Sequence, residues 1–551
     1  MKKEYDRNIV RKGLGIGQGL CAGRLVFFRH RQKIAMPRKG VKSREAECMR
    51  VRDAIKESVD RLEKLSQQVR LEAGETEAEI FEIHAMLASD EDFADAIMNE
   101  IEKGLCAEEA VEQAAEQYST RLSSLGDRYL AARAVDIKDV AKQILLSLGE
   151  VSSPVIDYGD EPFLLVADEL TPSETVTLDK SKVLGFVIFG GTPDSHASIL
   201  ARAMGIPALI AVGEIGDAFE GSYALLDAAE GTLVLLPDEE QLARFQKKEQ
   251  RERATSLAHE QYLRSLLGKP AVTRGGRQIL IYANVGDVQE ADGACLNGAD
   301  GIGLLRSEML YLSLDRYPTE EELFESYRAV AARMKGKRIV VRTLDMGADK
   351  QASYFGIAHE ENPALGFRGI RISLSDKVHF KTQLRAILRA SEFGKLSVML
   401  PMVVSADEVM RARALLEECM HELEKSHVGF DKEIELGVMI ETPAAAIMSD
   451  ALARVSDFFS VGTNDLSQYT LAADRQNATV GHLIEENREP VLRLIEHAAK
   501  MIHAAGGWIG ICGELAADLS LTQRFADMGV DELSVSVPYL LGLREKVTEC
   551  K

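Results

Sequence analysis

The sequence predicts a multidomain α/β protein whose C-terminal half is a (β/α)8 barrel, and three observations carry that prediction. Beyond residue 270, short apolar runs ending in polar or charged residues recur, with amphipathic stretches between them. Residues 42–148 are proline-poor and keep helical spacing. On both sides of that stretch, glycine-rich turns flank further apolar strands.

In chain order, the glycine-rich turn 13–19 leads into a strand at 23–28. Helical periodicity then runs through 50–71, 75–87, 91–103, 107–122 and 129–148, the pattern of an inserted helical bundle. Strand character returns at 163–167, 183–191 and 223–227, and these strands are expected to complete a domain begun by residues 1–35. The division predicted is an α/β domain of residues 1–35 and 150–240, a helical insertion of 36–149, and a polar connecting helix within 241–270. Such a helix suits two bodies that change their mutual orientation, and equally an ordinary packed connector.

The third part, 271–551, holds strand candidates at 279–284, 301–306, 339–345, 398–402, 437–441, 458–461 and 507–514. An eighth is expected near 369–372. An open doubly wound sheet would also alternate strands and helices. Against it, no G-x-G-x-x-G follows the first strand, and the polar groups sit at the ends of many different strands.

At 551 residues, 46% hydrophobic and 28% charged, the chain is too long for one domain and ample for two or three cores. A net charge of −21 disfavours nucleic acid as a partner, because that affinity rests on Lys and Arg neutralising phosphates. No apolar run has the length of a membrane span, and the first residues lack the apolar core of a signal peptide, so no membrane insertion and a cytoplasmic location are expected. The seven cysteines show no C-x-x-C spacing, which points away from a disulfide framework or a zinc site.

Two segments carry chemistry. The strand at 458–461 ends in Asn464 and Asp465, with Arg475 following, which outlines a site for a metal and an anion. In Gly190-Gly191-Thr192-Pro193-Asp194-Ser195-His196, a strand ends in two glycines, Asp194 or Ser195 caps, and His196 opens a helix that stops at Gly205. The positive end of a helix dipole lowers imidazole basicity and favours a phosphate on the ring. A histidine taken alone reads first as a satisfied surface or core residue, and it is the glycine turn and the helix start that bring the phosphate-accepting reading level with it.

The His196 segment is followed in order by six others: Gly301 to Glu308, Arg342 to Lys350, Asn362 to Arg368, Gly437 to Pro443, the Asn464-Asp465 loop, and Cys512 to Ala516. Together they resemble enzyme I of the bacterial phosphoenolpyruvate-dependent sugar phosphotransferase system, and 129–140 looks like that family's carrier-binding helices. Single motifs are shared with pyruvate phosphate dikinase and phosphoenolpyruvate synthase.

The resemblance implies a phosphohistidine α/β domain, an HPr-binding helical insertion, and a phosphoenolpyruvate-binding barrel that pairs two copies as a homodimer. It implies that Arg306, Arg342, Arg475, Asn464 and Asp465 bind the substrate, that Glu441 and Asp465 hold Mg2+, and that Cys512 protonates the departing enolate. Arginine forks suit both anionic ends of the substrate. A thiol with a reference pKa near ~8.5 is mostly protonated at neutral pH and can serve as the acid. Arg368 and Lys350 are expected on the same basic surface without an assigned step. The phosphoryl group would pass from phosphoenolpyruvate to His196 and then to a histidine of the HPr-like carrier, with the α/β domain swinging between the two.

One departure adjoins His196. The family usually reads Gly-Gly-x-Thr-Ser-His, whereas this chain reads Gly191-Thr192-Pro193-Asp194-Ser195-His196. If Asp194 takes the threonine's place, a like charge faces the phosphoryl group, worth roughly 1 to 4 kcal/mol against about 0.3 to 1 for the helix dipole. The phosphohistidine would then be less stable or a more reactive donor; a rotation of Asp194 to cap the helix would leave it unaffected. A regulatory or carrier-divergent paralogue, or a non-catalytic partner-binding relative, is the alternative this turn keeps open. A dikinase or synthase would need an ATP-binding domain, and nothing here supplies a glycine-rich nucleotide loop.

Overall fold

The computed structural model describes residues 9–17, 19–28, 43–72, 75–124, 128–149, 161–168, 170, 171, 174, 178, 181–192, 195–347, 353–357, 360–475, 477 and 480–551. The chain divides into two units, residues 1–256 and 257–551.

In the first unit the strands are β1 (Ile9–Lys12), β2 (Leu14–Ile16), β3 (Leu20–Phe28), β4 (Phe163–Ala167), β5 (Val183–Ile188), β6 (Ala208–Ile210), β7 (Tyr223–Asp227) and β8 (Thr232–Leu235). They form one sheet in the order β1-β8-β7-β3-β4-β5-β6-β2, parallel from β3 to β6 and antiparallel elsewhere. The unbroken apolar run of β4 follows from burial on both faces. Phe163, Leu165 and Ala167 enter one core, and Leu164 and Val166 the other.

Five helices, Arg44–Glu72, Glu75–Ala88, Glu91–Glu102, Ala107–Ser124 and Arg128–Ser147, enclose a separate core that includes Leu62, Phe81, Ile97 and Ile144. Buried His84 links the second to the fifth, 3.2 Å from Asp136 and 3.4 Å from Asp139. The helix Glu239–Ser265 buries no side chain, as its charged composition predicts.

The second unit is a closed parallel barrel of β9 (Leu280–Val285), β10 (Gly301–Leu305), β11 (Ile339–Arg342), β12 (Leu396–Leu400), β13 (Glu435–Ile440), β14 (Phe459–Val461), β15 (Ile509–Ile511) and β16 (Glu532–Ser536). Closure comes from β16 pairing with β9. Alternate residues such as Val341, Val398, Val438 and Ile511 pack outward against the helices, while Val340, Met399, Met439 and Cys512 form a distinct inner cluster. Helices between the strands start where capping predicts: Thr319 with Glu322 and Ser405 with Glu408 form reciprocal capping boxes.

The strand expected at 369–372 is instead the helix Ile370–Ser375. Gly369 enters it at φ 57°, and Ile370, Ile372 and Leu374 are all buried, so an alternating apolar pattern arose from a short helix packed on several sides. The eighth strand is β16, Glu-Leu-Ser-Val-Ser, whose inward residues are polar. It therefore lacks the continuous apolar run that marks a strand buried on both faces.

Deep in the barrel, the ring of Phe458 stacks on Trp508, the only tryptophan, at 5.1 Å, and Arg338 lies 4.7 Å over the indole. Gly437 leaves room for that ring, since a Cβ there would lie 2.4 Å from Phe458 Cζ. Gly437→Ala is expected to destabilise the protein by about 1 to 3 kcal/mol through overpacking. Thermal melting followed by tryptophan emission reads both the loss and the displaced stack; an unchanged midpoint would contradict it.

Candidate active site

The C-terminal ends of the barrel strands gather charged groups that the outward-facing apolar residues hold in place. Arg342 ends β11 and pairs with Glu308 at 3.1 Å and with Asp345 at 3.0 Å. Arg368 reaches both oxygens of Asp345 at 3.1 Å, Asp465 at 3.5 Å, and the Tyr469 hydroxyl at 3.1 Å. That hydroxyl in turn donates to the carbonyl of Ala364.

Glu441, just beyond β13, is 1% exposed and accepts from the backbone N–H of Met402 at 2.5 Å. Met402 supplies that N–H from a left-handed conformation, φ 56°, of the kind that costs about 1 to 3 kcal/mol and clusters at functional sites. Ligand oxygens of Asp345, Glu441 and Asp465 all lie within 4.8 Å of one another. Burial, followed by the charges of Asp345 and Asp465, pushes the Glu441 carboxyl well above its ordinary range. For Arg342 and Arg368, burial works to lower the pKa. The surrounding carboxylates outweigh it, so both remain charged.

Among these groups four carboxyls, Glu308, Asp345, Glu441 and Asp465, face two guanidiniums, Arg342 and Arg368, so that acidic groups outnumber basic ones by two. Three mutually close carboxylates with that surplus are the donor set a hard divalent cation takes. Asp345, Glu441 and Asp465 could hold one.

Cys512 follows β15 on the inner face, 5% exposed, with its Sγ 3.6 Å from the carbonyl of Val461. Burial above all pushes its thiol up to about 12, so it stays protonated across the neutral range. Asn464 and Glu514 form a reciprocal pair. The amide donates to the Glu514 carboxylate at 2.8 Å and accepts from its backbone N–H at 2.9 Å. Arg306, directly after β10, and Arg475, beyond the helix Thr463–Leu471, are exposed, and neither makes an ion pair among the described residues.

In the first unit, His196 is the first residue of the helix His196–Met204, and Gly205 ends it in the left-handed region at φ 65°. Ser195 occupies the capping position with extended backbone, but its hydroxyl turns to that of Ser198 at 3.0 Å and makes no cap. The readings of Asp194, of Lys350 and of the His196 imidazole lie outside the described residues.

The barrel thus brings Arg342, Glu441 and Asp465 into one cluster, as the sequence suggests, and adds Asp345, Glu308 and Tyr469. Each addition had a signal: Asp345 stands three residues after Arg342, Glu308 two after Arg306, and Tyr469 one helical turn after Asp465.

Three family models match the chain. They are the PEP-utilising enzyme PEP-binding domain over residues 260–551, its N-terminal domain over 12–133, and its mobile domain over 159–231. Proteins named phosphoenolpyruvate-protein phosphotransferase are similar over most of their length. The one from Priestia megaterium is 36% identical, covering 98% of this chain and 93% of its own. That of Bacillus subtilis is 35% identical over 98% and 94%, and that of Haemophilus influenzae 39% identical over 89% and 85%. The chain therefore belongs to the phosphoenolpyruvate-protein phosphotransferase family of PEP-utilising enzymes.

Proposed function

We propose that this protein transfers the phosphoryl group of phosphoenolpyruvate to His196, releases pyruvate, and passes the phosphoryl group to a histidine of an HPr-like phosphocarrier. The observation that carries this reading is the buried cluster of carboxylates and arginines at the barrel mouth, in a chain whose His196 falls within the matched mobile domain. Residues 271–551 would bind phosphoenolpyruvate and join two copies, 1–35 and 150–240 would carry the phosphohistidine, 36–149 would receive the carrier, and 241–270 would connect them. The protein would work in the cytoplasm; no helix among the described residues is long and apolar enough to cross a membrane.

Each group then has a task. Arg306 and Arg475, exposed and without ion-pair partners among the described residues, are suited to draw in the substrate's anionic ends. Arg342 is held in place by Glu308 and Asp345 and presents fixed positive charge at the strand end. Asn464 would exchange its Glu514 contact for a substrate oxygen. Asp345, Glu441 and Asp465 would hold Mg2+, which when bound supplies neutralisation for the phosphoryl oxygens. Cys512 delivers the proton that turns the enolate's methylene carbon into the methyl of pyruvate.

Incubating the protein with phosphoenolpyruvate and Mg2+ is expected to release one pyruvate per chain and leave one acid-labile phosphate. Adding an HPr-like carrier should discharge that phosphate and permit continuous pyruvate formation. Absence of any pyruvate release with intact protein would overturn the reading. Self-phosphorylation that no HPr-like carrier discharges would favour the carrier-divergent paralogue.

A further inference from the structure

Inside the barrel, the alternation that sends Leu533 and Val535 outward sends Glu532 and Ser534 inward. Glu532 is 1% exposed, and its Oε1 has no hydrogen-bond partner among the described residues. Two glycines make room for the carboxyl: a Cβ on Gly303 would lie 2.2 Å from Oε1, and one on Gly510 would lie 2.8 Å from Oε2. A buried carboxyl with an unpaired oxygen favours its protonated form. Burial accordingly pushes Glu532 up to about 8, with Arg338 opposing and Asp531 adding.

The strand register places this carboxyl beside the candidate acid. Glu532 on β16 pairs with Gly510 on β15, and Gly510 pairs with Ser460 on β14. Phe459 and Val461 pack outward, so Ser460 points inward, where its Oγ is buried and without a hydrogen-bond partner among the described residues. Cys512 is two residues beyond Gly510 on the same inward face. Ser460 is near enough to hold the thiol down against burial, and Glu532 adds charge that raises it. Burial above all, then the charge of Glu532, also raises Tyr282, and Arg338 opposes them. Cys512, Ser460 and Glu532 thus occupy adjoining inward positions on three successive strands.

We propose that Glu532 is the proton store that restores the Cys512 thiol after each turnover, with the Ser460 hydroxyl passing the proton between them. This rests on the reading of Cys512 as the acid. The S–H proton moves to the enolate carbon and leaves a thiolate. Ser460 gives its hydroxyl proton to that thiolate and takes one from the Glu532 carboxyl, and the Glu532 carboxylate recovers a proton from water. One solvent proton enters for each methyl group formed. Glu532 acts through Cys512 and does not touch the substrate.

Glu532→Gln keeps the shape and removes the transferable proton; Ser460→Ala removes the relaying hydroxyl, which has no resting hydrogen-bond partner among the described residues. With full-length protein, Mg2+, phosphoenolpyruvate and trideuterated pyruvate, three rates are compared: first-turnover phosphohistidine formation, exchange of carbon label between pyruvate and phosphoenolpyruvate, and loss of methyl deuterium to water. First-turnover formation spends the Cys512 proton already in place, and carbon exchange hands it back in each cycle, so both are expected within twofold of the parent in both variants. Deuterium loss is expected to fall at least tenfold, because the thiol returns the deuterium it took. Deuterium loss at the parental rate in a folded variant would overturn the proposal. So would a fall of all three rates by one factor, which marks a structural role. Should Glu532→Gln not fold, Ser460→Ala decides alone. A parent chain that forms no phosphohistidine would overturn the proposed function, and this inference with it, whereas parental phosphorylation with unaltered deuterium loss overturns only the inference.

Discussion

His196→Ala is expected to take the protein from one acid-labile phosphate per chain to none and to abolish the stoichiometric release of pyruvate. The helix His196–Met204 places its first residue where no side-chain cap among the described residues takes up the backbone N–H groups, the Ser195 hydroxyl being engaged with Ser198. Those N–H groups and the helix dipole favour negative charge beside the first turn. Alanine keeps the helix, because it has the highest helix propensity and the buried Ala197 and Ala201 anchor the element in its core. Only the accepting nitrogen is lost. The barrel cluster belongs to the other unit, so phosphoenolpyruvate with Mg2+ should still raise the melting temperature of the variant as it does that of the parent. Retained ligand stabilisation with lost phosphorylation identifies His196 as the acceptor. Acid-labile phosphate persisting on the variant would show that the acceptor is another residue.

The sequence made the architecture readable wherever a strand was apolar throughout. β11, β12 and β13 are buried along nearly their whole length, and runs of that kind have few alternative readings. β16 is hidden in the sequence because half its residues face a polar interior, and the helix at 370–375 reads as a strand because burial on several sides imitates alternation. The same division holds for the candidate site. Groups on strand ends, Arg342 and Glu441, were visible from their own neighbourhoods. Glu532 was not, since only the closure of β16 onto β9 and its register with Gly510 and Ser460 put it near Cys512. Charge balance was equally hidden: that two arginines serve four carboxylates is a fact of three-dimensional packing, and it is this surplus that makes a cation fit.

Glu441→Gln should separate the contribution of that surplus to stability from its contribution to activity. In the parent, Glu441 is buried beside Asp345 and Asp465, and burial above all lifts its carboxyl well above the usual range. A folded-state pKa raised above the unfolded value means that the native protein binds the extra proton. Stability therefore falls as pH rises from about 4.3, the reference value, toward the folded pKa. Glutamine removes that loss and can keep its oxygen toward the N–H of Met402, so the metal-free variant is expected to melt no lower than the parent at neutral pH, and its melting point should decline less between acid and neutral pH. The response to Mg2+ should go the other way. At a concentration 100 times Kd the parent gains about 2.7 kcal/mol of stability, a gain the variant should largely lose because one of three carboxylates is gone. Phosphohistidine formation should fall by about 10²- to 10⁴-fold, the equivalent of several kcal/mol of lost charge neutralisation at the transferring group. Melting curves with and without Mg2+, run beside quenched-flow phosphorylation, measure both. A variant that still phosphorylates at the parental, Mg2+-dependent rate would remove Glu441 from the metal site. One that melts far below the parent without metal would show that the carboxylate is held there for structure.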